Sequence, residues 1–130
     1  MIVKNVNLMH RLEPKRCIQG KGFESIRLIL EEDKMGFSLH KTIIPKGGPY
    51  HWHYTKHLEA CFCIKGTGIL TNLNTKESFL IEPDTIYLLD DNDNHTFKSL
   101  GEEVVLLSVF NPPCKGNEIH KEDGSYEANT

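Results

Sequence analysis

Apolar and polar residues alternate with a period of two through most of this chain, and no stretch sustains the 3.6-residue apolar period of an amphipathic helix. Short strand-type segments are expected at Ser25–Leu30, Phe37–Ile44, His57–Ile64, Gly68–Leu73, Ser78–Ile81, Thr85–Leu89, His95–Lys98 and Val104–Phe110. Turn chemistry separates them: Asp33-Lys34-Met35-Gly36, Pro45 to Pro49, Lys65 to Gly68, Asn74-Thr75, Glu82-Pro83-Asp84, and Asp90 to Asn94. Residues Asn5 to Leu12 are the one place where a helical turn or two is expected. Eight or nine antiparallel strands in so short a chain predict an all-β double-sheet jelly roll or a small closed barrel, able to enclose one small ligand. The polar stretch from Lys115 onward is expected to be a disordered tail or a mobile cover over one end of the barrel.

Composition narrows the field. At 130 residues the chain is expected to form a single domain (1–130), with 38% hydrophobic and 25% charged residues as in an ordinary soluble protein. A net charge of -3 leaves no basic footprint for nucleic acid. No apolar run reaches the length needed to cross a bilayer, and Met1 to Arg16 lacks the uninterrupted apolar core of a secretory signal. The cysteines Cys17, Cys61, Cys63 and Cys114 form no C-x-x-C pair and read as reduced, buried small hydrophobes. Reduced thiols and the missing signal point to the cytoplasm.

Candidate chemistry concentrates in His51 to Gly66, HWHYTKHLEACFCIKG. Imidazole and carboxylate are the groups that hold first-row divalent metals. If His57–Ile64 is a strand, His57, Glu59, Cys61 and Cys63 share one face, and Leu58, Ala60, Phe62 and Ile64 share the other. Both faces are largely apolar, so the strand is expected to be covered on both sides. A carboxylate there is costly unless it is paired, hydrogen-bonded or bound to a metal, which singles out Glu59.

Here the chain resembles the cupin superfamily, whose first motif is an H-x-H pair, a glutamate three or four residues later, and a glycine after six more. Glu59 and Gly66 match the second half. His53 is separated from Glu59 by five residues and so lies one position too early. A one-residue offset turns a strand side chain to the opposite face. The usual ligand positions hold Trp52 and Tyr54, so His51 and His53 are expected to face away. Pro83 to His95 resembles the second cupin motif, with His95 at its ligand position.

Read along its whole length, the chain is similar to the ectoine synthase family. The resemblance rests on MIVKNV, MGFSLHKTII, YTKHLEACFCIKGTG, IEPDTIYLLDDNDNH, VFNPPCKGNEIH and KEDGSY, in that order. It implies a cupin-fold dimer that binds Fe(2+) and cyclises the zwitterion N-γ-acetyl-L-2,4-diaminobutyrate to ectoine with loss of water. It also implies Glu59, Tyr87 and His95 as metal ligands, Tyr54, His57 and Glu118 as catalytic groups, and Arg27, His40, Thr42, Phe110 and His120 around the substrate. A tyrosine ligand would have to lose its proton, which a divalent cation favours. Imidazole, carboxylate and phenol would also accept Zn(2+) or Mn(2+). Two positions depart from the family's pattern: Phe23 stands where a tryptophan is usual, and Ser108 where a cysteine is common. A lyase or isomerase acting on another small zwitterion, or a non-catalytic ligand-binding cupin, therefore remain as alternatives.

Overall fold

The computed structural model describes residues 1–118, 120, 124 and 125. Ten strands follow a short helical N-terminus: β1 (Cys17–Gly20), β2 (Phe23–Ile29), β3 (Ser38–Ile44), β4 (Gly47–Trp52), β5 (Leu58–Lys65), β6 (Gly68–Asn72), β7 (Ser78–Ile81), β8 (Ile86–Leu89), β9 (His95–Ser99) and β10 (Val104–Asn111). They form two antiparallel sheets, ordered β1-β2-β3-β10-β5-β8 and β4-β9-β6-β7. This is the expected all-β arrangement of two facing layers. The expected helical turns occur as a 3₁₀ turn at Val6–Leu8, capped by the Asn5 side chain, and one α turn at Met9–Leu12.

Each of the eight expected strands is present within one or two residues of its predicted bounds. Two further strands, β1 and β4, lie where alternation is weak. The expected turn from Pro45 to Pro49 is overturned in part, because β4 begins inside it at Gly47. The pairing of β4 with β9 shifts register between Gly47 and Tyr50, so a bulge absorbs the Gly-Gly-Pro run that reads as a turn.

The two layers close on a core that includes Ile44, Trp52, Cys63, Phe97, Val104, Leu106 and Phe110. β5 shows the alternation clearly. Glu59, Cys61 and Cys63 are buried, whereas Leu58, Phe62 and Ile64 stay exposed. The expectation that both faces are covered is therefore overturned, since the described chain lays no element over the outer face. Gly66 ends this strand with φ +85, and a Cβ there would lie 2.2 Å from the Glu103 carbonyl. Only glycine fits so close a crossing.

The C-terminal segment returns to the barrel at defined points. His53 N donates to Gly124 O at 2.8 Å, and Glu118, Gly124 and Ser125 are buried. The expectation of a tail or cover over 115–130 falls partly on residues 119, 121–123 and 126–130, which lie outside the described residues. Among the described residues no helix is long and apolar enough to cross a membrane.

Candidate metal and substrate site

β4 decides which of the early histidines face inward. Trp52 and, just beyond the strand, Tyr54 are each 6% exposed and enter the interior. His51 is exposed and meets the Asn94 side-chain oxygen outside the barrel, and His53 is only half-buried. The one-residue offset in the motif thus has the expected geometric result. Trp52 stacks on His120 at 5.6 Å between ring centroids and meets His95 edge-on at 6.4 Å. The Tyr54 hydroxyl lies 2.7 Å from His120 Nε2.

Pairing of β5 with its neighbours builds the opposite wall. Cys61 stands directly between Ser108 on β10 and Tyr87 on β8, and Glu59 between Phe110 and Leu89. Ser108 Oγ lies 3.0 Å from Thr42 Oγ1 and 3.6 Å from Cys61 Sγ. Burial pushes the Glu59 carboxyl up to about 7, against the downward pull of its hydrogen bonds with Cys61 and Ser108. Tyr87 is held well above the ordinary phenol value, first by burial and then by the nearby Cys61 and Glu59. From the other sheet comes His95, whose Nδ1 donates to the Asp93 carbonyl at 2.9 Å. That bond fixes the tautomer and leaves the Nε2 lone pair as the donor atom. Burial lowers His95 to about 4, so the ring is neutral near pH 7.

This donor set fits a divalent ion. Glu59 is a desolvated carboxylate that forms no ion pair among the described residues, Tyr87 a phenol next to it, and His95 a neutral imidazole. A bound ion would compensate the first and stabilise the anionic form of the second.

A second buried cluster lies around the C-terminal loop, where His57, Cys114 and Glu118 offer donor atoms all within 4.8 Å of one another. His57 Nδ1 donates to the Pro112 carbonyl at 2.7 Å. Glu118 accepts from the backbone N–H of Lys115 and Gly116 at 2.6 and 2.8 Å. Its partner is Arg27, wholly buried, with Nη1 3.5 Å from Oε1 and Nη2 donating to the Glu118 carbonyl at 2.7 Å. Burial pushes the Cys114 thiol up to about 12.

One small, largely enclosed cavity gathers most of the expected site. Its walls include Glu59, Tyr87, His40, Thr42, Tyr54, Phe110 and His120. Arg27, His57, Glu118 and His95 are not among its lining residues. His95 reaches it through its ring contacts with Trp52 and Tyr54. His40 is 1% exposed, its Nε2 has no hydrogen-bond partner among the described residues, and burial and the Arg27 charge hold it well below the ordinary imidazole value. Phe23 and Ser108 also line the cavity, and Phe23 meets Trp52 and His120 edge-on. Sequence reasoning missed the contacts that Trp52 and Cys61 make with these groups and the place of Cys114 beside His57. The inward alternation of β5 was the available signal for Cys61. For Cys114, which follows a loop, there was none.

Comparison with known proteins gives the family. The family model described as ectoine synthase matches residues 1–130. The L-ectoine synthase of Hyphomonas neptunium is 43% identical, covering 98% of this chain and 94% of its own. That of Teredinibacter turnerae is 42% identical, covering 99% and 97%. Among solved structures, the ectoine synthase from P. lautus superimposes with a TM-score of 0.82 at 35% identity, covering 89% of this chain and 81% of that one. The Schizosaccharomyces pombe Cnp3 cupin domain shares the fold with a TM-score of 0.59 at 17% identity, over 72% and 63% of the two chains. The chain belongs to the ectoine synthase family and has the cupin fold.

Proposed function

We propose that this chain is a metal-dependent cyclising hydro-lyase that converts N-γ-acetyl-L-2,4-diaminobutyrate to ectoine and water. The observation that carries the reading is the convergence of Glu59, Tyr87, His40, Thr42, Tyr54, Phe110 and His120 on one cavity, in a chain matched over its full length by ectoine synthases. Glu59, Tyr87 and His95 would hold the ion. When bound, it supplies a Lewis acid for the acetamide oxygen. Fe(2+) is the proposed metal, with Zn(2+) and Mn(2+) as the other ions this donor set accepts.

The reaction joins the substrate's α-amine to its own acetamide carbon, and the carbonyl oxygen leaves as water. Walls such as Phe110 and Trp52 confine the flexible substrate in a folded shape that brings amine and carbonyl together. His40 is neutral and offers a hydrogen bond without adding charge. Tyr54 and His120, 2.7 Å apart, form a pair through which a proton passes from the attacking nitrogen toward the departing oxygen. His57 and Glu118 support this step from behind the wall. Arg27 holds the Glu118 backbone and carboxylate in place.

The protein works as a homodimer in the cytoplasm on this reading. Support for assembly comes from the uncovered apolar face of β5 and its edge neighbour β8, where Phe62, Ile64, Ile86 and Leu88 stay 37%, 43%, 61% and 59% exposed. Light scattering on the purified protein tests the dimer. Anaerobic incubation of Fe(2+)-loaded protein with the acetylated diamine, followed by NMR, tests the reaction. Absence of ectoine from folded, metal-loaded protein would overturn the assignment.

A further inference from the structure

The cavity wall on β3 carries a buried polar atom that the protein itself leaves unpaired. His40 is 1% exposed and lines the cavity, and its Nε2 has no hydrogen-bond partner among the described residues. A buried imidazole nitrogen in that state is costly unless a ligand supplies the missing partner. Its flanks are set by strand pairing, with Arg27 directly opposite on β2 and Ser108 directly opposite on β10. Ser108 turns its hydroxyl to Thr42 and Cys61, and the His40 ring packs on Phe110 at 5.0 Å between centroids. We propose that His40 Nε2–H donates to the α-carboxylate of the substrate and makes that carboxylate a condition for efficient turnover. The inference deepens the ectoine-forming reading given above and rests on it.

Charge decides between a donor and an acceptor role for this nitrogen. His40 is held neutral first by burial and then by the Arg27 charge. A positive field that resists a proton on the ring favours an anion beside it. The imidazole is thus a poor base for the α-amine, whereas its N–H is a good partner for a carboxylate. Position points the same way. The acetamide end of the substrate belongs at Glu59 on β5, and β3 lies two strands away across β10, roughly 10 Å at the usual strand spacing. A substrate with its amide toward Glu59 presents its far end to His40. That end is the α-carbon, which carries both the carboxylate and the attacking amine. Holding the carboxylate fixes the direction in which the amine faces, so one contact selects the charge and the hand of the substrate together.

The test compares the full substrate with N-acetyl-trimethylenediamine, which keeps the amine and the acetamide and lacks the carboxylate. The unaltered, metal-loaded chain should turn this probe over with a kcat/KM at least about a hundred-fold lower. In His40→Leu the full substrate should lose roughly 10- to 100-fold, the size of one hydrogen bond to a charged group, while the probe is unchanged. His40→Gln keeps an N–H donor and should recover part of the loss. A second measurement needs neither turnover nor a change to the chain. Ectoine added to isotope-labelled unaltered protein should shift the His40 Nε2–H resonance in the NMR spectrum, and the same ring without its carboxylate should not. Equal losses on the two substrates in His40→Leu, or a His40 resonance indifferent to ectoine, overturn the carboxylate contact and leave the cyclisation standing. Absence of ectoine formation by the folded, metal-loaded, unaltered chain overturns both.

Discussion

Two buried polar clusters lie within the same barrel, and they balance their charge in opposite ways. Around Glu118 the histidine, cysteine and carboxylate stand close together, their donor atoms all within 4.8 Å of one another. Yet that carboxylate already has Arg27 and two backbone N–H groups. Around Glu59 the donors are looser in pattern and include a tyrosine, the carboxyl forms no ion pair among the described residues, and it is pushed up to about 7. On the proposed assignment, the ion goes where buried negative charge lacks a partner and not where donor atoms stand closest together.

The sharpest way to break that contrast is to exchange the clusters' roles by substitution. Glu59→Gln should lower retained metal and turnover by at least about a hundred-fold, the upper end of what outer-shell changes cost. Cys114→Ser should leave metal content near that of the unaltered chain. Elemental analysis of the purified variants checks both, and the reverse pattern would invert the assignment.

Arg27→Met should act on stability more than on metal content. It strands the buried Glu118 carboxylate without its partner, at a cost of about 3–5 kcal/mol. Thermal unfolding of Arg27→Met, Glu118→Gln and the double variant measures it, with the double variant expected to recover part of the loss.

Proton linkage sharpens the contrast further. Metal-free, the folded Glu59 titrates near 7 against an ordinary 4.5, so between those values the folded state holds the extra proton. Its contribution is present below about pH 4.5 and lost as pH rises through about 7. His95 and His120, lowered to about 4 and about 3, act with the opposite sign, destabilising the fold as pH drops below 6.5. The difference between unaltered and Glu59→Gln metal-free melts across this range isolates the carboxyl. Metal affinity should rise with pH up to about 7, with proton release measurable by calorimetry in two buffers.

The smallest expected effect is at Ser108→Ala. It removes the contacts to Thr42 and Cys61, costing about 1 kcal/mol of stability with metal retained. Chemical denaturation detects a change of that size.

Much of this was legible in the residues. Period-two alternation placed the strand that carries Glu59, and the one-residue offset correctly turned His51 and His53 away. β4 was not legible, because its Gly-Gly-Pro start carries turn chemistry that a bulge absorbs. Nor was the tie between Arg27 and Glu118, residues 91 positions apart whose meeting depends on where the C-terminal loop lands. Cys61 reads as a small hydrophobe until pairing with β8 sets Tyr87 opposite it.

The position of β10 has a consequence for how the molecule comes into being. The last strand among the described residues lies at the middle of the larger sheet, between β3 and β5. Until it arrives, β1-β2-β3 and β5-β8 are separate pieces with open inner edges, each a template for pairing with the wrong chain. Ser108 and Phe110 ride in on that strand, so the wall that adjoins Glu59 and Cys61 is finished only when the sheet itself is joined. Folding rate and site assembly should therefore share one slow event, the docking of a strand whose partners are far away in sequence.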